Sequence, residues 1–274
     1  MNKAFSQRPP VALTIAGSDS GGGAGIAADL KTFAALGVYG TCAITAVTAQ
    51  NTLAVTASFP LAPELVAAQI DAVVGDFGPS ALKTGMLATA EIVEVVYKAM
   101  RRHRLVNLVV DPVMVSTSGA LLLAPEGKAA YREMLLPVAT VITPNVPEAE
   151  ALLERSIRTP DEMAQAARDL CELGCKAAII TGGHREGPAL DVLFERRGAH
   201  AHFLSQPRLP VETTHGSGCV FSAALAAYLA CGEPVFGAAN RAKEFVTHAL
   251  ASGLDLGAGP GPVNPMFNLA QGEK

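Results

Sequence analysis

The sequence predicts an α/β fold in which a mostly parallel sheet is covered by helices on both faces. Three observations carry that prediction. Short apolar runs alternate with longer helix-patterned segments along nearly all 274 residues, the pattern of parallel strands joined by helical crossovers. The runs Val11–Ala16 and Leu105–Val110 are almost purely apolar, as strands buried on both faces are. No linker, repeat or composition break divides the chain. One domain over residues 1–274 is therefore expected, with a core over about 11–255 and a loosely held Gly/Pro-rich tail from Gly257.

Taken in order, Val11–Ala16 reads as a strand that stops at Gly17. The glycine loop to Gly25 leads into a helix over Ile26–Leu36, with Ile26, Leu30 and Phe33 on one face. The loop lacks a clean G-x-G-x-x-G, and no acidic ribose ligand follows it, so a dinucleotide site is weakly supported. Asp29 lies just inside the helix. It reads either as an exposed first-turn acid favoured by the helix dipole or as a ligand group. Val38–Val47 is rich in β-branched residues and reads as one strand. It runs on to Gln50 and Asn51, which read either as turn residues or as polar groups that fix a heteroaromatic ligand through paired donors and acceptors. Leu53–Phe59 reads as an edge strand and Pro63–Val74 as a helix opened by proline. Ala81–Leu87 passes from strand to loop. Ala90–Arg102 is a helix whose basic end suits its C-terminus.

Leu105–Val110 stops at Asp111. The carboxyl end of a buried strand is where open α/β sheets keep ligand groups. Gly127–Leu136 reads as a helix and Ala139–Thr143 as a strand. Asn145 and Glu148 then stand three apart at the mouth of a short helix. That spacing fits an N-cap pair, and it also fits a holder of hydrated Mg²⁺ beside phosphates. Thr159–Leu173 is the clearest amphipathic helix: Thr159 caps it, Pro160 starts it and Gly174 ends it. Lys176–Ile180 is a strand ending in Thr181–His184. Leu190–Glu195 and His200–Phe203 read as an antiparallel pair. The last two helices run to Leu229 and from about Pro234 to Ala251.

The stretch Thr213–Cys219 opens the first of these two helices. Gly216 and Gly218 clear the backbone for close approach, and free N–H groups at a helix start seat an anion. Cys219 sits on that first turn, where a thiol pKa is usually lowered. It reads as a proton acceptor, as a nucleophile with His215 as its base, or as packing. The loops Gly17–Gly25, Thr84–Met86, Asp111–Met114, Thr143–Glu148, Thr181–His184 and Thr213–Cys219 should gather at one sheet edge. There is no G-x-x-x-x-G-K-[ST] or H-R-D loop. Phosphoryl transfer would thus draw its anion hole, metal holder and proton acceptor from these loops.

Hydrophobic residues make up 50% of the chain and charged residues 17%, with a formal net charge of −4. That balance permits a large core and argues against nucleic acid or an acidic membrane surface as the partner. The five cysteines, an odd number, argue against a disulfide framework. Met1–Pro10 has no apolar signal core, and no apolar stretch is long enough to span a bilayer. A cytoplasmic location is expected.

Together the motifs resemble the hydroxymethylpyrimidine/phosphomethylpyrimidine kinases of thiamine biosynthesis, a branch of the ribokinase-like superfamily. The resemblance rests on Ile15–Asp19 with Gly22–Ile26, Ala28–Thr32, Thr45–Thr52, Lys83–Leu87, Val110–Met114, Thr143–Asn145 with Pro147–Glu150, Gly182–His184 and His215–Cys219. These lie in the family's order over about residues 11–230. The resemblance implies a three-layer α/β/α sandwich, ATP as co-substrate, Mg²⁺, a small-molecule pyrimidine substrate and a homodimer. It implies two phosphorylations, of the hydroxymethyl group and then of the monophosphate. It assigns Gly17, Asp29, Gln50, Met86 and Val113 to the pyrimidine, with Asp29 and Gln50 reading the ring nitrogens and amino group. Asn145, Glu148, Thr181, Gly183 and Ser217 fall to the nucleotide, and Asp111 and Glu148 to the metal, mostly through water. Gly216, Gly218 and Cys219 fall to catalysis, Cys219 standing where most sugar kinases of the superfamily carry an aspartate base. The chain departs from the pattern at Thr181, where relatives often carry a lysine approaching the ATP phosphates, and at Ser217, where threonine is usual. The tail Gly261–Pro265 lacks the histidine often found after its asparagine. A pyridoxine/pyridoxal kinase of the same fold is the alternative.

Overall fold

The computed structural model describes residues 8–116, 119–124, 126–183 and 187–269; His184 of the expected ligand loop lies outside them. The strands are β1 (Val11–Ala16), β2 (Tyr39–Ile44), β3 (Ala46–Gln50), β4 (Val55–Pro60), β5 (Ala81–Thr84), β6 (Leu108–Val110), β7 (Val141–Ile142), β8 (Ala177–Thr181), β9 (Ala189–Glu195) and β10 (His202–Gln206). The helices are α1 (Gly25–Ala35), α2 (Pro63–Phe77), α3 (Ala90–Arg102), α4 (Gly127–Ala130), α5 (Val146–Leu153), α6 (Pro160–Glu172), α7 (Ser217–Ala230) and α8 (Val235–Ala251). Eight strands form one sheet in the order β10-β9-β8-β7-β6-β5-β1-β2. Every pair from β2 across to β8 is parallel, and β9 and β10 close the edge antiparallel. This is the mostly parallel sheet that the alternation predicts.

The apolar runs explain the layers. Successive strand side chains point to opposite faces, so each run feeds two cores. Leu13, Ile15, Leu82, Leu108, Val110, Ala178 and Ile180 pack with α2, α3, α5 and α6. Ala12, Ala81, Val109, Ala177 and Ile179 face the other way, onto α1, α7 and α8. The result is helices, sheet, helices. Within the second layer α7 is buried on nearly all sides, from Val220 to Leu229. A helix apolar all round needs such a wedge between sheet and neighbouring helices.

Three expectations are revised. Val38–Val47 is not one strand. Thr45 makes a corner, its N–H on Ala16 O at 3.0 Å and its hydroxyl on Met86 O at 2.6 Å. Beyond it β3 leaves the main sheet and pairs only with β4, as a separate antiparallel ribbon. The expected helix Gly127–Leu136 is α-helical for one turn, then widens over Tyr131–Leu135 and tightens over Leu136–Val138. Pro137 has no N–H to continue an α-helical ladder there. The tail is docked, not loose: Val263 is buried, Asn264 N–H reaches Ala249 O at 3.0 Å, and Phe267 packs tilted against Phe245 and stacks on His248.

The capped helices form as their sequences dictate. Thr159 and Glu162 exchange side-chain and backbone bonds at the start of α6, a box whose loss typically costs about 1 kcal/mol.

Candidate active site

Strand parity builds the floor of the site. Thr14, Lys83 and Asp111 share the register that points Ala12, Ala81 and Val109 toward α1 and α7. Asp29 on α1 and Ser222 on α7 meet them. Lys83 is fully buried, with Nζ 2.9 Å from both carboxylate oxygens of Asp29. The Thr14 hydroxyl donates to Asp29 Oδ2 at 2.6 Å, and the Ser222 hydroxyl to Asp111 Oδ2 at 2.8 Å. Burial works against the Lys83 charge. Asp29 above all, with Asp111, outweighs it and holds the ammonium above its ordinary range.

Above this floor lies a cavity of about 410 Å³ at the carboxyl edge of the parallel strands. Gly17, Gln50, Met86 and Val113 line one end of the residues brought together. Gly216, Ser217, Gly218 and Cys219 line the start of α7. Asp111, Asn145, Glu148, Thr181 and Gly183 follow across the sheet edge. The walls beyond Thr181 and Gly183 add Asp191, Arg208, Val211, Val246, Thr247 and Leu250. The six expected loops therefore converge, in the residues described.

Asp29 does not line this cavity, against expectation. It is not an exposed first-turn acid. It is wholly buried, and Lys83 and Thr14 take its oxygens.

The Cys219 thiol is a second correction. The helix start does not lower its pKa. Burial, with the carboxylates of Asp29 and Asp111, pushes it up to about 12 against the pull of Lys83 and a Gly25 N–H. A neutral thiol, not a standing thiolate, faces the cavity. Among the described residues no hydrogen bond joins His215 to Cys219; His215 Nε2 donates instead to Asp19 Oδ2 at 2.9 Å.

Asn145 and Glu148 are both a cap and part of the cavity wall. Asn145 N–H donates to Glu148 Oε2, and Glu148 N–H to Asn145 Oδ1, each at 2.9 Å. Glu148 is buried. Desolvation and then the Asp111 charge push it up to about 8, against N–H groups of Asn145 and Met114. Among the described residues no cluster of three or more His, Cys, Asp or Glu forms a ready cage. Asp111 and Glu148 nonetheless put two carboxyl groups, both raised by burial, into one cavity. Hard carboxylate oxygens in that setting suit Mg²⁺ shared with phosphates and water.

Two functional features escape sequence reasoning. Lys83 is one; its signal is a lone lysine directly after the apolar pair Ala81–Leu82. The other is the pairing of Asp19 with His215, for which a single sequence carries no signal. At the far wall Asp191 is likewise paired, with Lys243 Nζ at 2.8 Å, and it accepts Gly182 N–H at 3.0 Å.

A doubly covered parallel sheet, with an anion-seating helix start in a cavity at its carboxyl edge, defines an α/β phosphotransferase for small molecules. The family model described as phosphomethylpyrimidine kinase matches residues 19–264, and the chain belongs to that family. It is 48% identical over 260 residues to a hydroxymethylpyrimidine/phosphomethylpyrimidine kinase of Synechococcus elongatus, covering 95% of this chain and 98% of that one. Among solved structures it is similar to Bacillus subtilis pyridoxal kinase in an ADP complex, at 40% identity and TM-score 0.88, over 96% and 99% of the two chains. It is also similar to phosphomethylpyrimidine kinase of Clostridium difficile, at 41% identity and TM-score 0.77, over 88% and 99%. Membership of a kinase family makes ATP the co-substrate. Among the described residues no helix is long and apolar enough to cross a membrane.

Proposed function

We propose that the protein phosphorylates 4-amino-5-hydroxymethyl-2-methylpyrimidine with ATP, and then phosphorylates the monophosphate to the diphosphate, in thiamine biosynthesis. The observation that carries this is one cavity joining Gly17, Gln50, Met86 and Val113 to the anion seat at Gly216–Cys219. Met86 and Val113 pack on the ring, and Gln50 reads its polar edge. The N–H groups of the α7 start bind the charge that develops on the transferring phosphoryl group. The nucleotide lies along Asn145, Thr181, Gly183 and Ser217. Asp111 and Glu148 hold Mg²⁺, in part through water, and the bound metal neutralises phosphate charge. A homodimer in the cytoplasm completes the proposal; the cysteines among the described residues are all free, as a reducing compartment keeps them.

The test is turnover with Mg-ATP on a substrate panel, read by product mass. Hydroxymethylpyrimidine and its monophosphate should both be consumed. The likeness to pyridoxal kinase supports pyridoxal as the second reading. Pyridoxal turned over about tenfold better or more, as kcat/KM, would reverse the assignment.

Cys219 is expected to act as a neutral hydrogen-bonding group beside the acceptor hydroxyl. Cys219→Ala should lower kcat by about 10²-fold with little change in KM, and Cys219→Ser should recover part of the loss. A wild-type kcat that rises with a thiol-like inflection between pH 7 and 9 would contradict a thiol at about 12.

Glu148 makes stability fall with pH in metal-free protein. Its carboxyl titrates at about 8 when folded and near ~4.3 when unfolded. The folded state therefore holds the extra proton between these values, and stability declines as pH rises from about 5 to 8. Glu148→Gln should flatten that decline in urea unfolding curves. Identical slopes in the two proteins would remove Glu148 as its source.

A further inference from the structure

We propose that Asp19 is a positioning residue for phosphoryl transfer, fixing the glycine loop and the anion turn into one unit through His215. The proposal rests on the reading above for the role of the turn, but the observations behind it are separate. Asp19 is almost completely buried. Its Oδ1 accepts Gly21 N–H at 2.8 Å, and its Oδ2 accepts Gly23 N–H at 3.1 Å and Ala24 N–H at 2.8 Å. The same Oδ2 accepts His215 Nε2–H at 2.9 Å, across 196 positions of sequence. A carboxylate can only accept here, so the imidazole donates.

The two segments also interlock by shape. A Cβ on Gly23 would stand 2.5 Å from His215 Cδ2, and a Cβ on Gly216 would stand 1.8 Å from Gly23 O. The tail fixes His215 from the far side, with His215 N–H on Gly261 O and Val263 N–H on His215 O, both at 3.1 Å. Asp19 thus has one acceptor set for both segments. Asparagine keeps the shape but turns one oxygen into a donor, which faces Gly21 N–H in one amide orientation and the three donors at Oδ2 in the other. The geometry of the turn, not the pyrimidine recess, should suffer first, since a small displacement of preorganised donors is costly to the transition state.

The test uses whichever panel substrate the wild-type protein turns over best, so a wrong substrate assignment is visible in the wild type and leaves this comparison intact. Asp19→Asn should lower kcat by about tenfold or more, while the Kd of the same substrate, titrated without nucleotide, stays within about threefold. His215→Gln, which retains an N–H donor, should keep about fivefold more kcat than His215→Ala at matched melting temperature. Three results would overturn the proposal: an Asp19→Asn kcat close to wild type, Gln and Ala variants that are equal, or a substrate Kd that weakens in step with kcat. If Asp19→Asn fails to fold, the His215 pair decides alone.

Discussion

Lys83→Met is expected to cost about 3–5 kcal/mol of stability and to lower turnover by about 10²-fold or more. Methionine nearly matches lysine in length and volume, so packing is largely kept and the loss is electrostatic. Lys83 is fully buried with Nζ 2.9 Å from both oxygens of Asp29. Without it the Asp29 carboxylate keeps the Thr14 hydroxyl as donor, in a fully buried site. Asp111 and Cys219 also lose the Lys83 charge that acts on both. A compensating change separates fold from chemistry. Lys83→Met with Asp29→Leu should regain most of the stability, because apolar replacement of a buried pair is often near neutral. Its turnover should remain low, because the positive charge beneath the anion seat is still missing. Recovery of both together in the double variant would reduce Lys83 to a structural partner. The measurements are urea midpoints and steady-state turnover on the same preparations.

Gly216→Ala is expected to lower kcat by about 10²-fold while the pyrimidine still binds. Gly216 caps α7 at φ +81°, in the left-handed region, which costs a residue with a Cβ roughly 1 kcal/mol or more. The larger obstacle is steric. The added Cβ would lie 1.8 Å from Gly23 O, so the α7 start must pull away from the glycine loop. Every N–H of the anion seat moves with it. Gly218→Ala is the contrasting control, since its Cβ would point into open space. That variant should melt like the wild type and lose turnover only through bulk projecting into the cavity. Equal kcat for wild type and Gly216→Ala would show that the seat tolerates displacement, and the catalytic role of these amides would fall.

Much of the site was legible in the chain because its grammar is local. Glycines before α7, an acid after the apolar strand β6, and an Asn–Glu pair opening α5 each mark a loop. Strand–helix alternation then sends all such loops to one sheet edge. The same locality explains the misreading of Asp29. Its sequence position marks a first-turn acid, but its partner Lys83 lies 54 positions away, on the strand face that α1 covers. The split between β2 and β3 has a similar origin, since Thr45 turns the chain through bonds to Ala16 and Met86. So does the docked tail, whose glycines and prolines carry no apolar period although Val263 and Phe267 pack into the second core.

The sequence by itself therefore determined the class of fold, the sheet edge where the loops gather, and the residues Gly17, Gln50, Met86, Val113, Asn145, Glu148 and Gly216–Cys219 that line one cavity there. Tertiary structure alone decided the charge state of the site. A thiol at a helix start is lowered by that helix in isolation, yet here burial beside Asp29 and Asp111 pushes it to about 12. Local spacing sets which groups a turn presents. Only the packing of distant elements sets the dielectric and the neighbouring charges on which their chemistry depends.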